Sequence, residues 1–142
     1  NLHQGAVGVG LALDSGRCLY AAKFGRPVRA HPDTGRSLRD IHISGWRDIL
    51  LLASQCYDMT GLGYIGTDIV LDTFAGPQLL ELNARPGLAI QIANGRGLLP
   101  RLRHIENMTL NRRFRSEHRV DYVMRQFAEV EDEPPVASAD VA

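Results

Sequence analysis

Polar residues interrupt two apolar segments near the middle of the chain, where buried strands would ordinarily carry aliphatic side chains. These residues are Asp68 in "GTDIVLD" and Glu81, Asn83 and Arg85 in "LLELNARPG". Because side chains alternate between the two faces of a strand, Glu81, Asn83 and Arg85 fall on one face if the second strand extends that far. Leu80 and Leu82 then fall on the opposite face. The second segment therefore predicts one polar face and one apolar face.

The turn between the two segments decides which residue of the first strand meets Glu81. If residues 73–76 form the turn, Asp72 pairs with Pro77, and the same register sets Asp68 opposite Glu81. Directly opposed residues have Cβ atoms about 4.5 to 5.5 Å apart, so the two carboxylates repel each other unless a cation lies between them. This register predicts a cation site on the polar face.

The ligand types favour a hard divalent cation. Asp68, Glu81 and Asn83 are the candidate metal ligands, because carboxylate and amide oxygens without His or Cys suit Mg²⁺ or Mn²⁺ better than Zn²⁺. Mg²⁺ held by few protein groups usually completes its shell with water and phosphate oxygens, which indicates a nucleotide. Arg85 is the candidate catalytic residue, since a guanidinium beside phosphate stabilises charge in phosphoryl transfer or clamps a substrate carboxylate. The alternative is an edge hairpin with one solvated face.

The first half of the chain predicts a second hairpin and a long loop. Apolar runs at 6–13 and 18–24, joined by "DSGR", indicate two antiparallel strands. Residues 25–45 are rich in Gly, Pro and charged side chains and are expected to be mostly loop. The strands of the polar hairpin are expected at 63–72 and 77–83.

Helices are expected on both sides of the polar hairpin. Residues 46–59 repeat apolar side chains at helical spacing, with Ser44 as the expected N-cap and Gly61 just after the end. Two shorter helices are expected at about 89–93 and 98–105, separated by "NGRG". The pattern predicts an α+β fold in which an antiparallel β-sheet is packed by helices.

The C-terminal part of the chain is predicted to be an extension that follows the main part. Ser116 is expected to cap a helix over residues 117–130, and residues 131–142 are acidic, contain two prolines and are expected to be a disordered tail. We therefore divide the chain into a main part at 1–106, a helical extension at 107–130 and the tail.

Composition excludes several classes of protein. The 142 residues are 44% hydrophobic, which suffices for one core, and 16 Lys and Arg balance 16 Asp and Glu, so no net charge favours nucleic acid or an anionic membrane as partner. Cys18 and Cys56 lie too far apart in sequence for a zinc motif and do not suggest a disulfide framework. A cytoplasmic protein is expected. Because the chain opens as "NLHQGAVGVG", without Met and already resembling a strand, we expect it to begin inside a larger protein.

The motifs resemble a known superfamily of ligases. "GTDIVLD" followed by "LLELNARPGL" looks like the C-terminal metal-binding segment of ATP-grasp proteins, and "NLHQGA" resembles the alpha-L-glutamate ligase branch, related to ribosomal-protein glutamate ligases. The resemblance spans residue 1 to about residue 106. It implies the C-terminal ATP-grasp subdomain, with ATP phosphorylating a substrate carboxylate and an amine then displacing phosphate to form an amide or peptide bond.

Carried over residue by residue, the resemblance assigns the metal site and part of the nucleotide site. Its Mg²⁺ ligands match Asp68, Glu81 and Asn83, and its phosphate-proximal motif places Asn1, His3 and Gln4 as cofactor-binding residues. Gln4 departs from the Arg of the ribosomal-protein ligases, and Arg85 stands at the E-x-N-x-R spacing of biotin carboxylase-like members. We therefore expect Arg85 to supply the positive charge that Gln4 lacks.

The family's other ATP-binding elements would lie before residue 1. We therefore expect the isolated chain to be inactive, with the intact protein taking a nucleotide and an amino-acid or peptide carboxylate, such as glutamate. The competing interpretation is a noncatalytic binding or assembly module that kept the scaffold. Surfaces meant for missing lobes would favour a homodimer.

Several other residues invite weaker interpretations. His3 and His31 are candidate bases or phosphate donors, although an exposed or structural histidine is the commoner case for each. Gln91 and Asn94 are candidate polar contacts of an acceptor pocket, on the resemblance alone. Cys56 falls on the apolar stripe of the 46–59 helix and is expected in the core.

Overall fold

The computed structural model describes residues 4–108 and 114–128. Its elements in chain order are β1 (Gly8–Leu11), β2 (Cys18–Lys23), β3 (Arg26–Pro27), α1 (Trp46–Thr60), β4 (Gly66–Asp72), β5 (Gly76–Asn83), a 3₁₀ helix (Leu88–Asn94), α2 (Leu99–Glu106) and α3 (Ser116–Gln126). The strands form two small antiparallel sheets, ordered β1-β2-β3 and β4-β5. The predicted α+β class is confirmed.

The first sheet is the expected N-terminal hairpin with a short third strand. Gly8 pairs with Ala22 and Gly10 with Tyr20, and a bulge follows Gly10. The 3₁₀ helix packs against β1 and β2, and it comes so close that a Cβ on Gly10 would lie 2.3 Å from the carbonyl oxygen of Ala93. Glycine is therefore required at this crossing, because any side chain would meet backbone.

Helix α1 joins the first sheet to the β4–β5 hairpin. The indole Nε1 of Trp46 donates to the carbonyl oxygen of Leu13 at 3.0 Å, which fixes the start of α1 beside the first hairpin. The expectation of Ser44 as N-cap is wrong, because Gly45 occupies that position with φ 66° and no side-chain bond caps the helix. Gly61 ends α1 as expected, with φ 71° and its N–H bonded to the carbonyl of Tyr57.

The later helices differ from expectation at their ends. The segment expected as a short helix near 89–93 is a 3₁₀ helix over Leu88–Asn94. Ser116 is the first residue of α3 and not its cap, which is Arg115. Helix α3 ends at Gln126, so the expected extension to residue 130 is wrong at residues 127 and 128 and otherwise lies outside the described residues, as does the expected tail.

The buried core consists mainly of small side chains and lies in two places. Among the side chains that the structure describes, the buried apolar residues are Ala12, Ala21, Ala22, Leu38, Cys56, Ala93 and Val120. Most of them lie where the first sheet meets the 3₁₀ helix and the long loop, whereas Cys56 and Val120 lie where α1 packs on α3. Cys56 is fully buried, which confirms its place in the core. None of the helices in the described ranges is both long and apolar enough to cross a membrane.

Candidate functional site

The β4–β5 hairpin brings Asp68 directly opposite Glu81. The turn expected to produce this pairing is wrong, however. Asp72 was expected to pair with Pro77 but pairs with Gly76. The turn is therefore one residue shorter than expected. A bulge between Asp68 and Ile69 compensates, because Leu80 is skipped in the pairing and the next residue, Glu81, meets Asp68.

Local chemistry at Asp72 explains the short turn. One carboxylate oxygen of Asp72 accepts the backbone N–H groups of Phe74 and Ala75, both at 2.8 Å. These two bonds hold the pKa of the Asp72 carboxyl below its usual range. Gly76 follows in the left-handed region at φ 73°, where a residue without Cβ carries no steric cost. Together they close the chain over residues 73–75 and start β5 at Gly76.

The two faces of the hairpin differ in burial. Ile69, Leu79 and Leu82 are partly buried, on the side that alternation assigns to the apolar face, and α1 contacts both strands. Asp68, Glu81 and Asn83 are exposed. The expectation that Leu80 shares the inner face is wrong, since this residue is unpaired in the bulge and 67% exposed. The polar face is therefore exposed to solvent, and it includes Leu80 beside its polar residues.

The chain turns sharply where the polar face ends. Strand β5 stops at Asn83, so Arg85 is not part of the strand, and the side-chain oxygen of Asn83 accepts the backbone N–H of Arg85 at 2.9 Å. On the paired strand, a Cβ on Gly66 would lie 2.8 Å from Cβ of Pro86. The turn after β5 therefore packs against the start of β4, and only glycine leaves room for it.

The electrostatics of the polar face leave its carboxylates unpaired. Across residues 4–108 and 114–128, no ion pair joins Asp68 or Glu81 to a basic side chain. The same residues contain no group of three or more His, Cys, Asp or Glu arranged to hold a metal, but the candidate ligands on this face are two carboxylates and an amide. Two opposed carboxylates beside an amide oxygen fit a hard cation that keeps several waters or phosphate oxygens.

The remaining candidate residues are only partly described. Asn1 and His3 lie outside the described residues, and Gln4 is exposed. Gln91 and Asn94 bond to each other, with Nδ2 of Asn94 3.3 Å from Oε1 of Gln91. The sequence reasoning missed the bulge at Leu80, for which the sequence carries no signal that we recognise.

The contact between Gly66 and Pro86 was also missed by the sequence reasoning. Here a signal was present, because a glycine at the start of an apolar strand suggests close approach of other backbone or side chains.

The comparisons with known proteins agree with the motifs at one level. The family model described as sugar-transfer associated ATP-grasp matches residues 1–107. No curated protein matched the chain. No solved structure matched it either. The ATP-grasp resemblance and its ATP-dependent, ligase-like scaffold are therefore confirmed, whereas the glutamate-ligase branch is not what this model describes. The chain belongs to the sugar-transfer associated ATP-grasp family.

Proposed function

We propose that this chain carries the metal-binding part of an ATP- and Mg²⁺-dependent carboxylate–amine ligase. The observation that supports the proposal is the pairing of Asp68 with Glu81 on an open face that continues to Asn83. Two opposed carboxylates without a basic partner are unfavourable by themselves, and a divalent cation between them removes the repulsion. Family membership supports ATP as the source of the phosphate oxygens that would complete the shell.

In this proposal the chain's residues position and neutralise charge. Asp68, Glu81 and Asn83 would hold Mg²⁺, or Mn²⁺ in its place, and a cation held there would supply positive charge against the ATP phosphates. A carboxylate oxygen of the substrate attacks the γ-phosphorus and releases ADP, and an amine then displaces phosphate from the acylphosphate to give an amide. Arg85, whose backbone N–H bonds to Asn83 at the end of the site, would stabilise the charge of the transferred phosphoryl group through its guanidinium.

The substrates follow from the same proposal. We infer that the amine or the carboxylate is an amino acid such as glutamate, in the cytoplasm, where ATP is supplied. The family's association with sugar transfer makes a carbohydrate-bearing acceptor the first to test. Asn1, His3 and Gln4 act beside the phosphates in this proposal. In this proposal the chain by itself is inactive and supplies the metal-binding part of the site.

A metal titration tests the proposal. Free Mn²⁺ is followed by electron paramagnetic resonance as the full chain is added, with and without tripolyphosphate to supply phosphate oxygens. Asp68→Asn and Glu81→Gln are each expected to weaken binding by about tenfold or more, since a direct ligand matters at least as much as an outer-shell partner. Asp72→Asn is the matched control, because it removes a carboxylate from the same strand that instead bonds the turn.

Two results would count against the metal site. One is the absence of binding at millimolar Mn²⁺ even with tripolyphosphate present. The other is an equal loss of binding in Asp72→Asn.

A noncatalytic assembly module is the second candidate, and one observation favours it. The hairpin exposes large apolar side chains, with Phe74 98% exposed at the turn and Leu80 and Leu71 67% and 53% exposed. An exposed apolar patch of this kind favours association, here as a homodimer. Sedimentation analysis distinguishes the two candidates: a dimer that Phe74→Ser dissociates, in a chain that binds no Mn²⁺, would favour assembly over catalysis.

A further inference from the structure

The long loop between β3 and α1 contains an ordered turn that the proposed ligase chemistry does not use. Ala30 and Ser37 form an antiparallel bridge, flanked by a bond from the N–H of His31 to the carbonyl of Arg36 and one from the N–H of Leu38 to the carbonyl of Arg29. We call residues 29–38 the arginine turn. Its backbone bonds make it a single antiparallel bridge that closes a tight turn, and not an irregular loop.

Side-chain bonds within "HPDTG" hold the tip of this turn. The N–H of Gly35 donates to the carbonyl of His31 at 2.8 Å, and Gly35 adopts φ 66°. The N–H of Asp33 donates to Nδ1 of His31 at 3.3 Å. Because Nδ1 is the acceptor in this bond, the other ring nitrogen, Nε2, is the one that can donate to a ligand. Leu38 is buried at 5% exposure and anchors the other end of the turn.

The register places three nitrogen-bearing side chains on one face. His31 lies opposite Arg36, and Arg29 lies opposite Leu38, so Arg29 is the diagonal neighbour of Arg36. Opposed residues of an antiparallel ladder point to the same side, and diagonal neighbours about 7 to 8 Å apart remain within reach of long side chains. Arg29 and Arg36 are exposed, and His31 is half-buried. Two guanidinium groups and one imidazole therefore share this face.

The charges on this face are not paired within the part of the chain that the structure describes. No described carboxylate, including that of Asp33 at the tip of the same turn, forms an ion pair with Arg29, His31 or Arg36. Like charges brought together on one face of a ladder are destabilising, and an anion between them removes that cost. A planar guanidinium binds carboxylate and phosphate oxygens in pairs, which makes two of them with an imidazole N–H suited to closely spaced oxyanions.

We propose that the arginine turn is an anion-binding site in which Arg29, His31 and Arg36 bind a small-molecule ligand with two or more closely spaced oxyanion groups. Phosphates and carboxylates share this chemistry. The site is separate in sequence from the β4–β5 hairpin, and its binding needs neither Mg²⁺ nor ATP. It therefore stands whether or not the metal site does.

Calorimetric titration of the full chain tests this site in low-salt buffer with EDTA, which removes divalent cations and limits screening. Sodium tripolyphosphate is the phosphate probe, and tri-galacturonic acid is the carboxylate probe. Arg29→Gln and Arg36→Gln are each expected to weaken binding by about tenfold or more, the loss expected for one charge-assisted hydrogen-bonding group. The affinity of Arg36→Lys for the probe is expected to lie between those of Arg36→Gln and the unmodified chain. Lysine keeps the positive charge but lacks the planar guanidinium that binds two oxygens at once.

Arg39→Gln is the matched control. Arg39 belongs to the same loop but lies outside the arginine turn, in the next turn, which the bond from the N–H of Ile41 to the carbonyl of Leu38 closes. Its charge acts on the Cys18 thiol, whose pKa is raised by burial and lowered in smaller part by the bond to the backbone of Tyr20 and then by this charge. The control is expected to change affinity by less than about twofold. Because all four substitutions are at exposed side chains, circular dichroism should show an unchanged fold.

Each outcome decides the proposal. Binding of either probe that depends on Arg29 and Arg36 but not on Arg39 supports it and identifies the anion as phosphate or carboxylate. Failure of both probes to bind, or an equal loss in Arg39→Gln, overturns it.

Discussion

Asp68 and Glu81 are direct cross-strand partners even though the turn that joins their strands is one residue too short for a regular ladder between them. The unpaired Leu80 absorbs the difference. At the far end of the hairpin the register is set by the bonds of Asp72, and near the site it is set where Pro86 packs on Gly66. The bulge lies between these two constraints and reconciles them.

This arrangement predicts that Leu80 can be deleted without loss of the metal site. The deletion makes the ladder regular from the turn onward, so Glu81 still lies opposite Asp68. Mn²⁺ affinity is expected to stay within about threefold of the unmodified chain, because all three ligands keep their face. Electron paramagnetic resonance of free Mn²⁺ measures it.

Deleting Leu82 is the matched control, since it removes another leucine from the same strand. This deletion leaves Glu81 in place but moves Asn83 to the opposite face, because side chains alternate along a strand. Affinity is then expected to fall by about tenfold. If both deletions lower the affinity equally, the bulge is itself required for binding.

The parts of the fold that the sequence predicts well are those governed by periodicity. Helix α1 follows from apolar spacing and ends at Gly61 as expected, and both hairpins occur where apolar runs flank turn residues. The pairing of Asp68 with Glu81 was also predicted, but through the wrong turn. Periodicity is a property of many residues at once, so one misplaced residue changes it little.

The parts that the sequence does not predict depend on single backbone positions. The N-cap of α1 is Gly45 in a left-handed conformation, although Ser44 is the more usual residue type for a cap. The bulge depends on a competition between the Asp72 bonds and the packing of Pro86, which no local pattern reveals. The metal role of Asp68, Glu81 and Asn83 stays a prediction.

The approach of the 3₁₀ helix to β1 predicts that Gly10 cannot be replaced. A Cβ at this position would lie 2.3 Å from the carbonyl oxygen of Ala93 and 2.7 Å from Cα of Asn94, both backbone atoms that cannot move independently. Gly10→Ala is expected to lower the free energy of unfolding by about 1 to 3 kcal/mol, the usual range for overpacking. Urea denaturation measures the change.

Gly97→Ala is the control for Gly10, because a Cβ there meets nothing within 4 Å. Its stability is expected to be unchanged or slightly higher. Equal losses in the two variants would indicate that the packing at Gly10 relaxes freely.

The stability of the contact between α1 and α3 is expected to depend strongly on the side chain of Arg119. Its guanidinium donates to the hydroxyl and carbonyl oxygens of Ser54, both at 2.9 Å, and lies 2.7 Å from a carboxylate oxygen of Asp58. It also lies over the ring of Tyr57, 5.1 Å from the centroid. Arg119→Ala is expected to cost about 2 to 3 kcal/mol of unfolding free energy, because several charge-assisted bonds are lost together.

Two variants separate the shape of the Arg119 side chain from its charge. The free energy of unfolding of Arg119→Lys is expected to lie between those of Arg119→Ala and the unmodified chain, because an ammonium group cannot reproduce the planar guanidinium. Arg115→Ala removes an exposed arginine at the start of the same helix and should change stability by less than about 0.5 kcal/mol. A loss in Arg115→Ala as large as in Arg119→Ala would mean that net charge, and not the contact with α1, stabilises α3.

The turn bonds of Asp72 predict a pH dependence with a definite sign. Because backbone N–H groups hold the pKa of this carboxyl below its ordinary value near 3.8, the folded state binds the proton less readily than the unfolded chain does. The stabilisation is therefore complete at pH values above the ordinary pKa and is lost as the pH falls through the lower, folded-state pKa.

Asp72→Asn is the reference, since its amide oxygen still accepts hydrogen bonds but does not titrate. Measured by urea denaturation, the stability of the unmodified chain relative to this reference should be constant between about pH 7 and pH 5 and should decline below about pH 4. A difference that stays constant down to about pH 2 would show that the two turn bonds do not favour the ionised carboxylate.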